Sequence, residues 1–272
     1  EETEIHYSKE RNQFFMKFSN GCWLQKEGCG CHAPQEVYFT KAEDRKVTIC
    51  APTVHITNRG DTLGCINLTL EITSPAPEIL RGRTYHHKGS VGDSPSFDLE
   101  LTDELPLKVT DSQETLDIAS GSLTLSISKK NWSMTYLRNG KVITRSTGRD
   151  LALMKTDWKG YAYDHGDNEE TYMRQMLSLS VGELVYGMGE RFTPFVKNGQ
   201  SVDIWNADGG TSTEQSYKNI PFYLTNKGYG VLVNHPERVS FEVATEMVTR
   251  TEFSVEGGYL DYFLINGPTM KE

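Results

Sequence analysis

Nothing in this 272-residue sequence approaches the run of about 18 apolar residues that a membrane-spanning helix requires. Basic charge is in deficit: 28 Lys and Arg face 37 Asp and Glu, for a formal net charge of -9 and a pI near 5.4. Such a surface repels phosphate backbones, which excludes nucleic acid as a natural partner. There is no long amphipathic helical pattern, no internal repeat, no low-complexity tract and no heptad run. The start, Glu1-Glu2-Thr3-Glu4, has neither an initiator Met nor the basic-then-apolar pattern of a signal peptide; the expectation is a removed signal or a trimmed chain. Cysteine is absent beyond the first quarter. Cys22, Cys29, Cys31, Cys50 and Cys65 lack the C-x-x-C spacing of a zinc knuckle, so Cys29-Gly30-Cys31 with Cys22 or His32 makes a poor metal set. One or two disulfides, leaving a thiol over, is the favoured expectation, with plain buried thiols as the alternative.

What is present is β pattern nearly throughout. Residues 46–50, 65–72, 122–128, 240–243 and 259–265 alternate apolar with polar, as half-buried strands do. Turn chemistry separates them at Asn58-Arg59-Gly60-Asp61, Asn226-Lys227-Gly228 and Glu256-Gly257-Gly258. Asn139-Gly140, between 132–137 and 142–143, predicts a hairpin, because a type I′ turn needs positive φ at both central positions. Many short strands with frequent turns predict an all-β antiparallel sandwich. Residues 74–111 are rich in Pro, Gly, His and charge and read as loop or irregular insertion, as does the polar stretch 156–170. Two glycosylation sequons, at Asn67 and Asn131, permit secretion without requiring it; the location expected is extracellular, with the cytoplasm as alternative.

The C-terminal third is the most distinctive. It reads Val185-Tyr186-Gly187-Met188-Gly189-Glu190-Arg191-Phe192, then Trp205-Asn206-Ala207-Asp208-Gly209-Gly210-Thr211-Ser212-Thr213-Glu214-Gln215. Tyr217-Lys218-Asn219-Ile220-Pro221-Phe222-Tyr223 and Gly228-Tyr229-Gly230-Val231-Leu232-Val233-Asn234-His235-Pro236 follow. This order and spacing resemble the domain that precedes the (β/α)8 barrel in family 31 glycoside hydrolases, and the Trp205–Gln215 block is closer to the α-xylosidase branch than to the α-glucosidases. The resemblance is dense over 184–268 and looser at 20–39 and 121–144.

The resemblance implies a galactose mutarotase-like sandwich over residues 1–268, with 269–272 beginning the way into a barrel that is not in this chain. Family members are retaining enzymes: one carboxylate attacks the anomeric carbon and another serves as acid, then base. Both lie on the barrel, so no catalytic residue is assigned here and the chain alone is expected to be inactive. The implied function is the non-catalytic N-terminal part of an α-xylosidase acting on terminal non-reducing α-xylosyl residues, for example of xyloglucan oligosaccharides. Its partners would be a C-terminal catalytic polypeptide and the oligosaccharide; no metal or organic cofactor is implied.

In the family a loop of the sandwich reaches the sugar pocket, and its counterpart here is Trp205–Gln215. Asp208 matches the acid directed at the substrate; a carboxylate accepts hydrogen bonds from two neighbouring sugar hydroxyls. The plainer reading is that Asp208 caps a turn, since Asp-Gly is a common turn pair. Thr211 would supply a hydroxyl, although it lies three positions beyond Asp208. Trp205 would stack on a sugar face or, on the plainer reading, pack beneath the loop. Glu190 reads as structural, pairing with Arg191 or with backbone N–H groups. Phe192, Phe195 and Tyr217 read as interface or core aromatics, His235 as a satisfied structural histidine and His86-His87 as surface. Rival readings are a sugar epimerase, for which none of the seven histidines pairs visibly with a Glu; a free-standing carbohydrate-binding module, which the scattered Trp23, Trp132, Trp158 and Trp205 do not single out; and the same domain of an α-glucosidase.

Overall fold

A computed structural model describes residues 16–21, 23–90, 97–101, 104–157, 170–207 and 213–272. The fold is all-β, with antiparallel strands in three principal sheets and only two single-turn 3-10 helices among the described residues. The largest sheet has eight strands, in spatial order Val185–Gly187, Phe222–Thr225, Tyr229–Val233, Tyr259–Asn266, Ile79–Tyr85, Asn67–Thr73, Val47–Pro52 and Phe39–Ala42. A six-stranded sheet runs Gln200–Ile204, Val239–Val243, Arg250–Glu256, Glu170–Ser178, Ala152–Thr156 and Cys29–His32. A five-stranded meander runs Lys141–Thr147, Ser133–Arg138, Leu123–Ser128, Thr115–Ser120 and Lys108–Asp111.

One continuous apolar core joins the three sheets, drawing Val47, Leu70, Leu125, Tyr136, Phe241, Phe253 and Tyr262 into a single packed cluster. Its centre is aromatic: the Phe253 and Tyr262 rings meet edge-on at 5.3 Å, and the Tyr136 and Tyr262 hydroxyls bond across the sandwich at 2.8 Å. The Asn139-Gly140 hairpin forms as its sequence predicts, with φ of 49° and 75° at the two turn residues.

Residues 74–111 depart from the expectation of an irregular insertion. Ile79–Tyr85 is an interior strand of the eight-stranded sheet, paired on both sides. Its charges hide the strand pattern, yet each is answered: Arg81 makes a two-pronged contact with Asp261 at 2.9 and 2.6 Å, and Arg83 reaches Glu71 at 3.2 Å. Most of 156–170 lies outside the described residues.

The disulfide expectation is also corrected for the four described cysteines: Cys29, Cys31, Cys50 and Cys65 are free thiols. Two of them are engaged as donors instead, Cys50 Sγ to Asn67 Oδ1 at 3.0 Å and Cys65 Sγ to the Ile66 carbonyl at 3.2 Å. Cys22 is outside the described residues.

The six-stranded sheet is buried on both faces. Facing the core are Val202, Phe241, Val243, Phe253, Val255 and Met173. The opposite face carries Asp203, Ser240, Glu242, Glu252, Ser254 and Arg174, all nearly inaccessible to solvent. The segment from Met16 to Ser19 lies over this polar face. Met16 N donates to Ser240 Oγ, Lys17 Nζ lies 3.5 Å from Glu242, and Phe18 N and Ser19 Oγ donate to the two oxygens of Glu246. The alternating residues 240–243 are therefore not half-exposed, and every residue of Val239–Val243 is buried.

Candidate functional site

The strand Gln200–Ile204 delivers the chain to Trp205, and the segment that follows returns at Ser216, where Asn206 and Ser216 form an isolated bridge. Ala207 N donates to the Ser216 carbonyl at 3.0 Å. Asp208 and Thr211 lie outside the described residues, so what the structure gives is the base that carries them.

Arg191 is the hub of that base. Its Nε donates to the Met188 carbonyl at 3.0 Å, Nη1 to the Glu214 carbonyl at 3.1 Å, and Nη2 to the Asp203 carbonyl at 2.8 Å and to Asn219 Oδ1. Burial pushes its pKa down and Asp203 resists the fall. Asn219 completes the clamp: its Nδ2 donates to the carbonyls of Trp205 and Ser216 and to Asn206 Oδ1, at 2.7–3.0 Å. One guanidinium and one amide thus tie both ends of the segment to the sheet.

The Gly187-Met188-Gly189 run makes this approach possible. Gly189 has φ of 89°, and a Cβ there would sit 2.1 Å from the Lys218 carbonyl oxygen; at Gly187, with φ of 107°, it would meet Phe222 O at 2.8 Å. The neighbouring segment passes so close that Glu190 N donates to Lys218 O at 2.9 Å and Ser216 Oγ to Glu190 O at 2.6 Å.

Below Trp205, Asp203 is 8% exposed. Burial raises its pKa, opposed by Arg238, whose Nε approaches both carboxylate oxygens at 3.1 and 2.9 Å. The Arg238 guanidinium sits 5.5 Å from the centroid of the Trp205 ring. Trp205 is 52% exposed, and its ring is backed by that guanidinium.

The expected Glu190–Arg191 pairing does not form. Arg191 spends its donors on carbonyls and Asn219, and the Glu190 carboxylate pairs with Lys218 at 3.0 Å in solvent. Phe192, Phe195 and Tyr217 are 65%, 78% and 74% exposed and are not core residues; with Trp205 and Ile220 they give this end of the sandwich an exposed apolar character. His235 is a satisfied structural histidine, accepting from Asp261 N at 2.9 Å and facing Glu237 at 3.2 Å. His87 is exposed, whereas His86 is half-buried beside the Asn67 carbonyl. Asn131 is exposed in the turn between two strands of the meander; Asn67 is half-buried at the start of its strand.

Sequence reasoning assigned no role to Asp203, Arg238 or Asn219, and offered Arg191 only as one of two alternative partners of Glu190. Asp203 and Arg238 are 35 residues apart and Arg191 and Asn219 are 28 apart, so only the fold joins them.

Residues 69–242 match the model of the glycosyl hydrolase 31 N-terminal galactose mutarotase-like domain. The chain is 40% identical over 258 residues to the α-xylosidase XylQ of Lactiplantibacillus pentosus, covering 94% of this chain and 32% of that protein. It is 36% identical over 275 residues to an α-xylosidase of Emericella nidulans, covering 94% and 34%. The chain therefore spans about a third of the length of these relatives. The fold is similar to that of a cycloalternan-forming enzyme from Listeria monocytogenes solved with a pentasaccharide substrate, at a TM-score of 0.67 and 18% identity, over 88% of this chain and 21% of that one.

Proposed function

The chain belongs to the glycosyl hydrolase 31 family as its N-terminal galactose mutarotase-like domain, and from that membership we propose that it is the non-catalytic N-terminal region of a retaining α-xylosidase. The whole enzyme would hydrolyse terminal non-reducing α-xylosyl residues, with xyloglucan oligosaccharides as the natural substrates. The observation that carries the reading is similarity to α-xylosidases along nearly the whole chain, with the Trp205–Gln215 segment held by the Arg191–Asn219 clamp.

On this reading the sandwich has two tasks. One is to hold the sugar-facing segment at a fixed height over the barrel mouth, so that Asp208 accepts hydrogen bonds from adjacent sugar hydroxyls and Thr211 adds a hydroxyl at the rim. Four donor bonds from one guanidinium tie down the base of the segment, which supports a reading in which the carboxylate meets the sugar at a reduced ordering cost. Trp205 would offer its open face to a pyranose while Arg238 supports the other. The second task is to dock the barrel through the exposed aromatics Phe192, Phe195 and Tyr217. The nucleophile and the acid/base come from the barrel, and two carboxylates suffice for the reaction. An extracellular setting would make Asn131 the better glycan acceptor, because its side chain is exposed.

The test is hydrolysis of p-nitrophenyl α-xyloside against the α-glucoside by the whole protein, with intact mass under native and denaturing conditions. Preference for the xyloside, by a species that includes the barrel, supports the proposal. Preference for the α-glucoside moves the assignment to the sister branch of the family. A 30.7 kDa chain that exists alone and binds sugar without cleaving it replaces the enzyme with a binding module.

A further inference from the structure

Away from the Trp205–Gln215 segment, a cavity of about 470 Å³ opens on the polar face of the six-stranded sheet, a volume in the range of roughly 300–1,000 Å³ in which small-molecule sites fall. Its floor is Arg174 and Met176 on the strand Glu170–Ser178. One wall is the Arg149-Asp150 turn with Arg250, and the other is the small hairpin of Ser19–Asn20 and Leu24–Gln25, which carries Trp23 at its turn.

Three observations make this a built site rather than a packing fault. First, Arg174 is 5% exposed, yet it makes no ion pair among the described residues. Its Nη2 donates to the Arg149 carbonyl at 2.6 Å and lies 3.7 Å from Cys31 Sγ, and its guanidinium sits 5.7 Å from the centroid of the Phe18 ring, while Nε has no described hydrogen-bond partner. A guanidinium taken out of water with an unused donor is costly unless something meets it. Second, Trp23 is 89% exposed at the cavity rim. Third, the hairpin that presents Trp23 is latched to the turn between Val239–Val243 and Arg250–Glu256: Glu246 accepts from Phe18 N at 2.9 Å and from Ser19 Oγ at 2.5 Å. The indole is thus held at the cavity mouth from a fixed base.

The lining also specifies the ligand. Donors from Arg174, Arg149, Arg250 and Gln25 stand beside the carboxylates of Asp150, which Arg250 already meets at 3.0 Å, and Glu246. An anion would meet those carboxylates and a cation would meet the arginines. A sugar hydroxyl donates and accepts at once, and so suits both. An exposed indole beside such a mixed set fits the C–H face of a pyranose.

We propose that this cavity is a second carbohydrate site, taking the end of a neutral oligosaccharide, with Trp23 stacked on a pyranose ring and Arg174, Arg149 and Asp150 hydrogen-bonded to its hydroxyls. The choice of sugar rests on the glycosidase reading, whereas the geometry of the cavity does not. Such a site would hold a branched or long substrate at a second point and raise its local concentration at the enzyme.

Calorimetric titration of the whole protein with cellotetraose and, separately, xylotetraose tests this. Both are β-linked, so an α-glycosidase cannot cleave them during the measurement. At least one of the two should bind the wild type, and Trp23→Ala should weaken that binding tenfold or more. Arg149→Ala, at an exposed side chain, should weaken it severalfold. Turnover of p-nitrophenyl α-xyloside should stay within twofold of wild type in both variants. Equal affinity in wild type and both variants overturns the proposal, as does failure of both sugars to bind the wild type. Loss of the α-xyloside activity in the wild type itself, with Trp23-dependent binding intact, would sink the enzyme assignment and leave this site standing.

Discussion

The two faces of the six-stranded sheet are built from the same strands and solve burial in opposite ways. Phe253 and Glu252 are neighbours in sequence, 0% and 2% exposed. Phe253 packs between Phe241 and Tyr262, with centroids 6.0 and 5.3 Å away. Glu252 points to the other face, where neither of its carboxyl oxygens has a described hydrogen-bond partner. Burial, reinforced by Glu246, raises its pKa well above the usual carboxylate value and outweighs the nearby Arg174. On Arg174, burial works against the charge, but the field of Glu252, Cys31, Glu246 and Asp150 prevails and its pKa rises. The inner face is stable because it is dry and close-packed. The outer face is a set of charges balanced at a distance, kept from water by the Met16–Ser19 segment. Neutral, apolar burial is where stability resides; the polar face is where ligand chemistry remains available.

Perturbing the two faces separately should give effects of different size and different pH dependence. The largest loss is expected for Phe253→Ala, about 3–5 kcal/mol by urea denaturation, from the transfer and cavity terms together. A loss under 1 kcal/mol would show that the inner face is not the stabilising one. Arg174→Met should cost about 1–3 kcal/mol, because it removes the bond to the Arg149 carbonyl and the cation whose field opposes Asp150 and Glu246. A neutral result would mean that those carboxyls are already uncharged.

Glu252→Gln tests the sign. A carboxyl whose folded pKa is raised contributes stability below its unfolded value, near 4.5, and loses it as pH rises toward the folded value. The Gln variant cannot ionise, so as pH rises above about 4.5 it should gain progressively on wild type. Parallel pH–stability curves would contradict the assignment. Smallest of all is Lys17→Ala. Its half-exposed ammonium lies 3.5 Å from Glu242 and should be worth under about 1 kcal/mol, diminishing with salt.

The same contrast explains what could be read from sequence. Period-two alternation locates strands that face the core, as at Leu123–Ser128, where buried and half-buried residues alternate. It misplaces the second face whenever that face is covered, as at Ser240 and Glu242, because a polar residue reads as solvent-facing whether or not another segment lies over it. It fails at Ile79–Tyr85, where Arg81 and Arg83 obtain partners from Asp261 and Glu71, which are distant in sequence. At the candidate site the Gly187-Met188-Gly189 run and the Trp205–Gln215 block were visible as motifs, and the glycines prove to be where backbones come within contact. The clamp was not visible, since Arg191 and Asn219 are brought together only by the fold. Nor was the cavity, which joins residues from Phe18 to Arg250.

On the proposed function, the clamped Trp205–Gln215 segment would bring Asp208 to the sugar pocket of the whole enzyme. Steady-state hydrolysis of p-nitrophenyl α-xyloside by the whole protein and its Asp208→Asn variant tests it directly, with thermal unfolding as the control. We predict a fall in kcat/KM of about 100-fold, near 2.7 kcal/mol of transition-state stabilisation, with the melting temperature unchanged. A variant that turns over the xyloside at the wild-type rate would contradict the account.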